Sequence, residues 1–172
     1  MTMKHFMTTL ALLTILGKAQ GQEMDIHSAI RDREAAQAES DYLRTVQSAL
    51  TPKAVSDYQI MAVEYDVAQS DLFDGRDALF LVIFRTQKGS IEASYDWSGV
   101  VVETIERFRN LALPRKILLS GMKRHSGWRV IGTNYYVYYV KNRSKRILYT
   151  IQIADGNKRK RILLDSEGTV IN

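Results

Sequence analysis

SYDWSGVVVE (residues 94–103) and LLDSEGTVIN (residues 163–172) follow one pattern: an apolar residue, an aspartate, two residues, a glycine and a β-branched run. Three readings compete: a ligand loop, a chance match, or one hairpin corner used twice. Calcium loops need oxygen ligands at alternating positions and a closing glutamate at the twelfth. DWSGVVVETIER lacks that pattern, and DSEGTVIN ends too soon for it. A type I turn favours Asp at its first position, and Gly then takes a positive φ as the chain enters the next strand. The corner is therefore the expected reading, and its double use predicts a repeated unit.

Setting Asp96 on Asp165, an offset of 69, tests the repeat outward. Leu79 falls on Leu148, Val82 on Ile151, Phe84 on Ile153, Ala93 on Ile162, Tyr95 on Leu164 and Val101 on Val170, with no gap. Upstream, TPKAV matches LPRKI at an offset of 62, so the second copy carries seven extra residues, assigned to the strand that holds NYYVYYV. Each copy opens on a proline-led helix. In the first, Thr51 is the expected cap, and Val55, Tyr58 and Ala62 recur at helical spacing with Ile60 and Val63 beside them. The second, ALPRKILLSGMKRHSGW, opens at Pro114 and is expected to stop at Gly127. ALFLVIF reads as a strand apolar on both faces, and IEASY alternates with Ile91, Ala93 and Tyr95 on one side. VVVETIERF, WRVIGTNYYVYYV, RILYTIQI, KRKRILL and TVIN read as further strands. The expected fold is α+β: an antiparallel sheet with helices on one face, built from two helix-plus-meander repeats, 51–110 and 111–172. Residues 22–50 form a lead-in, and DLFDGRD (71–77) reads as a loop.

The first 21 residues carry Lys4, an apolar run from Phe6 to Leu16, and small residues at Ala19 and Gly21. That is the pattern of a secretory signal, with cleavage after Ala19 or Gly21, and the run is too short to span a bilayer. No later segment would span one. The chain has no cysteine, hence no disulfide, thiol nucleophile or thiolate metal site. Export without disulfides suits a bacterial periplasm or cell surface.

Charge is unevenly placed. Residues 22–106 hold 7 basic and 16 acidic side chains, net −9, and residues 107–172 hold 15 and 3, net +12. A binding face for an acidic partner and cations guarding strand edges both account for this. His125 stands without a second histidine nearby, and no G-x-S-x-G, Walker loop, G-x-G-x-x-G or H-E-x-x-H occurs. No catalytic residue, metal site or cofactor is expected, and an exported chain makes nucleic acid an improbable partner. In NYYVYYV, Tyr136 and Tyr138 share one face and Tyr135 and Tyr139 the other. With the basic clusters KNRSKR and KRKR, they define the candidate binding surface: Tyr136, Tyr138, Arg143, Lys145, Arg146, Arg159 and Arg161. By parity Arg159 and Arg161 oppose Lys160, so these charges are expected on two faces.

LPRKILLSGMKRHSGWRVIGTNYYVYYV followed by KRILYTIQIADGNKRKRILLDSEGTV resembles the PepSY-like, or β-lactamase-inhibitor-like, family of exported bacterial proteins, particularly small flavobacterial members of the Bacteroidetes. The resemblance rests on Leu113-Pro114, Gly127-Trp128, Tyr135 to Tyr139, Tyr149, Lys158 to Arg161 and Asp165 to Gly168, and covers residues 50–172. HSGW departs from the aromatic-Pro-Gly-Trp step often found there. The resemblance implies a repeated helix-on-sheet fold, export, and a binding or inhibitory role without catalytic residues. The leading expectation is a non-enzymatic binding module whose partner is a protein, such as a peptidase that it inhibits. The alternative is a binder or sensor of an anionic small molecule, glycan or lipid headgroup through the basic second half.

Overall fold

The computed structural model describes residues 41–71 and 79–171. The expected signal segment, most of the lead-in and nearly all of DLFDGRD lie outside these residues. Residues 41–46 are helical. Helix α1 (Lys53–Glu64) and a short 3-10 turn (Val67–Gln69) follow, then strands β1 (Phe80–Thr86), β2 (Gly89–Tyr95) and β3 (Val101–Arg109). Helix α2 (Arg115–Met122) leads into β4 (Arg129–Val140), β5 (Ser144–Asp155) and β6 (Lys158–Leu164). The strands form one six-stranded antiparallel sheet in sequence order.

Both helices begin directly after a proline, at Pro52 and Pro114. Proline at a helix start loses nothing, because its missing N–H has no partner within the first turn. Thr51 is not the cap that its sequence position suggests: its hydroxyl accepts from Ser48 N at 2.9 Å, and α1 has no side-chain cap. Helix α2 ends at Met122, short of Gly127, which stands in the following turn at φ +81°. The apolar stripe of α1 also differs from expectation. Val55, Gln59 and Ala62 are buried, while Ile60 is exposed and Tyr58 half-buried.

One face of the sheet is covered. Ile91, Ala93 and Tyr95 of β2 point into this core as their alternation predicts, joined by Phe108, Tyr135, Val137, Tyr139, Tyr149, Ile151, Ile153, Ile162 and Leu164. Helix α1 lies on β2, and α2 lies on β5 and β6. The 41–46 helix packs Tyr42 edge-on to Tyr139, with ring centres 5.2 Å apart. Buried phenols tie the layers: Tyr95 donates to the Ala62 carbonyl and Tyr149 to the Leu50 carbonyl. The reading of ALFLVIF as apolar on two covered faces is overturned. β1 is an edge strand with one face open, leaving Leu81 58% and Ile83 43% exposed.

The two Asp-x-x-Gly stretches are built alike. The Asp96 carboxylate accepts from Ser98 N and Val100 N, both at 3.0 Å, and the Asp165 carboxylate accepts from Glu167 N at 2.9 Å and Thr169 N at 2.8 Å. Gly99 and Gly168 stand at φ +82° and +84°, where a Cβ is strained. The carboxylates are thus occupied by their own turns. At the offset of 69, β1 falls on residues 149–155 of β5 and β2 on the whole of β6. β4, larger than the insertion assigned to it, then has no strand as counterpart among the described residues, and β3 is matched only by Val170, which bridges Leu164 as Val101 pairs with Tyr95.

Candidate functional site

The uncovered face of the sheet brings together most of the expected surface residues. Antiparallel register places side chains in rows across the strands. One row runs Ile83, Glu92, Ile105, Tyr138 and Arg146. The next runs Arg85, Ser90, Arg107, Tyr136 and Leu148. Tyr136 and Tyr138 are 38% and 42% exposed, whereas Tyr135 and Tyr139, their neighbours in sequence, are buried. Arg107 pairs with Glu92 at 2.5 Å across β2 and β3. An aliphatic and aromatic band therefore lies in the open, set among guanidinium groups.

Register separates the strand cations completely. Arg85, Arg107, Arg109, Arg129, Arg146, Arg159 and Arg161 all carry the parity of the open face. Lys145, Lys158 and Lys160 all carry the parity of the helix-covered face. The Lys145 ammonium donates to the Thr45 carbonyl at 2.9 Å. Arginine is planar, weakly hydrated and able to meet a carboxylate with two parallel bonds, whereas lysine is a strongly hydrated point charge. Interfaces concentrate Arg and Tyr and are depleted of Lys.

The seven expected residues thus divide. Tyr136, Tyr138, Arg146, Arg159 and Arg161 share the open face. Arg143 lies in the β4–β5 turn and Lys145 has the opposite parity, so neither joins that surface; both line a cleft of ≈ 380 Å³ with Asp41, Thr45 and Tyr139. The open-face cations also form two groups. Arg161 pairs with Gln152, six residues along β5 from Arg146, a separation of roughly 20 Å at strand rise. Arg159 and Arg161 line a cleft of ≈ 250 Å³ with Ile131, Gln152 and Lys160. A third cleft, of ≈ 370 Å³, lies where α2 meets the second Asp corner, beside Lys123, Arg124 and His125.

Sequence reading missed the buried acid. Glu106, on β3, is fully buried on the covered side. Its Oε1 accepts from the Tyr42 hydroxyl at 2.8 Å and the Thr104 hydroxyl at 3.1 Å, and its Oε2 accepts from Gln59 Nε2 at 2.9 Å. Burial pushes its carboxyl above the ordinary value of 4.5, and these three donors hold it down in part. Burial likewise raises the Tyr42, Tyr95, Tyr135 and Tyr139 phenols, and it takes Tyr149 up to about 12. A signal was present: Glu106 shares parity with Thr104 and Phe108, so one charge stood on the inward side of VETIERF. Among the described residues, no group of three His, Asp or Glu is arranged to hold a metal. None of the described helices is long and apolar enough to cross a membrane.

No family model matches the chain, and neither the curated proteins nor the solved structures give a match.

Proposed function

We propose that this protein is an exported, non-enzymatic binding module of the PepSY-like type, which docks a protein partner on the open face of its sheet. The observation that carries this reading is the sorting of cations by face. Every strand arginine has the parity of the open face, which also exposes Tyr136, Tyr138, Leu81 and Ile83, and every strand lysine has the other parity. Such a face suits a partner that offers carboxylates around an apolar centre, as a peptidase loop would. Export is supported by the leader pattern of residues 1–21. Descent from a duplicated helix-and-hairpin unit is supported by the matched prolines and the matched Asp corners.

The test is retention of one protein from periplasmic extract on the immobilised chain. The contact should survive high salt and be lost when Tyr136→Ala and Tyr138→Ala are combined. Retention by that double variant equal to the original would refute the open-face site. A second reading is favoured by the cleft that Arg159 and Arg161 line with Gln152. There an anionic small molecule or glycan would bind, and binding would fade between low and moderate salt. Hydrolytic activity that persists through purification to homogeneity would overturn the non-enzymatic assignment.

A further inference from the structure

The covered side of the molecule holds a carboxyl group that the binding role leaves unused. Glu106 lies on β3, with Ile91 of β2 and Val137 of β4 as its cross-strand neighbours. Two separate helices reach it. Tyr42 comes from the 41–46 helix and Gln59 from the middle of α1. No other pair of side-chain bonds among those described joins both helices to one atom group of the sheet. The titratable groups around it are phenols: Tyr42 itself, Tyr95 on β2, and Tyr135 and Tyr139 on β4. None of the groups that perturb it is a cation.

A buried carboxylate without a cation is costly, because hydrogen bonds alone replace its hydration incompletely. The neutral acid fits the same heavy-atom positions, with one hydroxyl turned from donor to acceptor. Oε1 stands between two hydroxyls, and a hydroxyl both donates and accepts. A proton on Oε1 therefore finds an acceptor in Tyr42 Oη or Thr104 Oγ1, while the other hydroxyl still donates to Oε1. Oε2 remains a carbonyl oxygen that takes the Gln59 N–H.

We propose that Glu106 is held as the neutral acid at neutral pH and serves as a pH-sensitive clasp, fastening the 41–46 helix and α1 to the sheet through Tyr42 and Gln59. Loss of its proton places an unpaired charge under the helical layer. Water reaches that charge only when the layer lifts, so alkaline conditions loosen the cover before the sheet. The sign follows from linkage. Between the ordinary carboxyl value and the folded one, the folded state holds a proton that the unfolded state has lost. Stability is therefore full at acid pH, falls as pH rises through that interval, and levels off once the folded carboxyl ionises.

The decisive measurement is urea unfolding of the full chain from about pH 5 to about pH 9, beside Glu106→Gln. Within the linkage interval the unfolding constant of the original protein should rise up to about tenfold per pH unit more steeply than that of the variant. Parallel profiles would overturn the proposal. Carboxyl carbon resonances of the unsubstituted protein give a reading that needs no variant. A buried glutamate still protonated at neutral pH supports the clasp, and one already ionised refutes it. Hydrogen exchange supplies the regional test. Faster opening of residues 41–46 and α1 at alkaline pH, with β3 to β5 still protected, is the expected result. Uniform loss of protection would refute a clasp specific to the helical layer.

Discussion

The two faces of this sheet use the same residue types to opposite ends. On β4, Tyr135 and Tyr139 are buried, and Tyr136 and Tyr138 stand in solvent. Inward, the phenols join a covered core, and those of Tyr95 on β2 and Tyr149 on β5 donate to the Ala62 and Leu50 carbonyls. Outward, the rings flank guanidinium groups and leave their hydroxyls to water or a partner. The difference lies in what lies above them. Helices remove one face from water, where each hydroxyl needs a partner and each ring contributes burial. The other face keeps adaptable polar tips on large apolar bodies, which is the composition of a recognition surface.

This contrast can be broken or sharpened by substitution. The largest effect is expected at Phe108, buried on β3 and stacked on Tyr58 at 5.9 Å. Phe108→Ala should cost about 3–5 kcal/mol in urea unfolding, by lost burial plus the cavity left behind. Next come the corners that border the covered side. Gly168→Val should cost about 2–4 kcal/mol, combining a positive-φ penalty with crowding, because a Cβ there would lie 3.0 Å from Ile117 Cδ1. Gly99→Val should cost less, since its nearest neighbour, Val67 Cγ2, is 3.4 Å away. Equal losses in thermal melts would show that conformation alone matters at both corners.

A smaller loss, about 0.5–1.5 kcal/mol, is expected for Tyr149→Phe, which removes the bond to the Leu50 carbonyl and keeps the ring. On the open face the order reverses. Tyr136→Ala and Tyr138→Ala should each change stability by less than about 0.5 kcal/mol and yet weaken partner capture. A loss of stability there matching that at Phe108 would mean that the face is not free. Calcium should leave melting unchanged, since both corner aspartates already accept backbone N–H groups.

Much of this was legible. The parity of NYYVYYV separated its tyrosines correctly, because a strand side-chain period of two leaves no freedom once one face is assigned. The opposition of Lys160 to Arg159 and Arg161 followed from the same parity and holds in the register of β5 and β6. ALFLVIF failed for a definite reason. A continuous apolar run has no period, so nothing in it tells whether one face or two are covered. Gln59 escaped because the stripe on α1 was traced through apolar residues. The buried line runs through Val55, Gln59 and Ala62, and a polar residue in it is explained only by a partner on another element.

What the sequence determined by itself was local: proline-led helices, strand parity and two aspartate corners. Each depends on the torsions and hydrogen bonds of a few adjacent residues. What only the tertiary structure decided was which face is covered, that Arg143 and Lys145 lie apart from the arginine face, and that Glu106 meets Tyr42 and Gln59 across 64 and 47 residues. Such contacts are set by how the helices lie on the sheet, and no short-range pattern records a distance between segments so far apart.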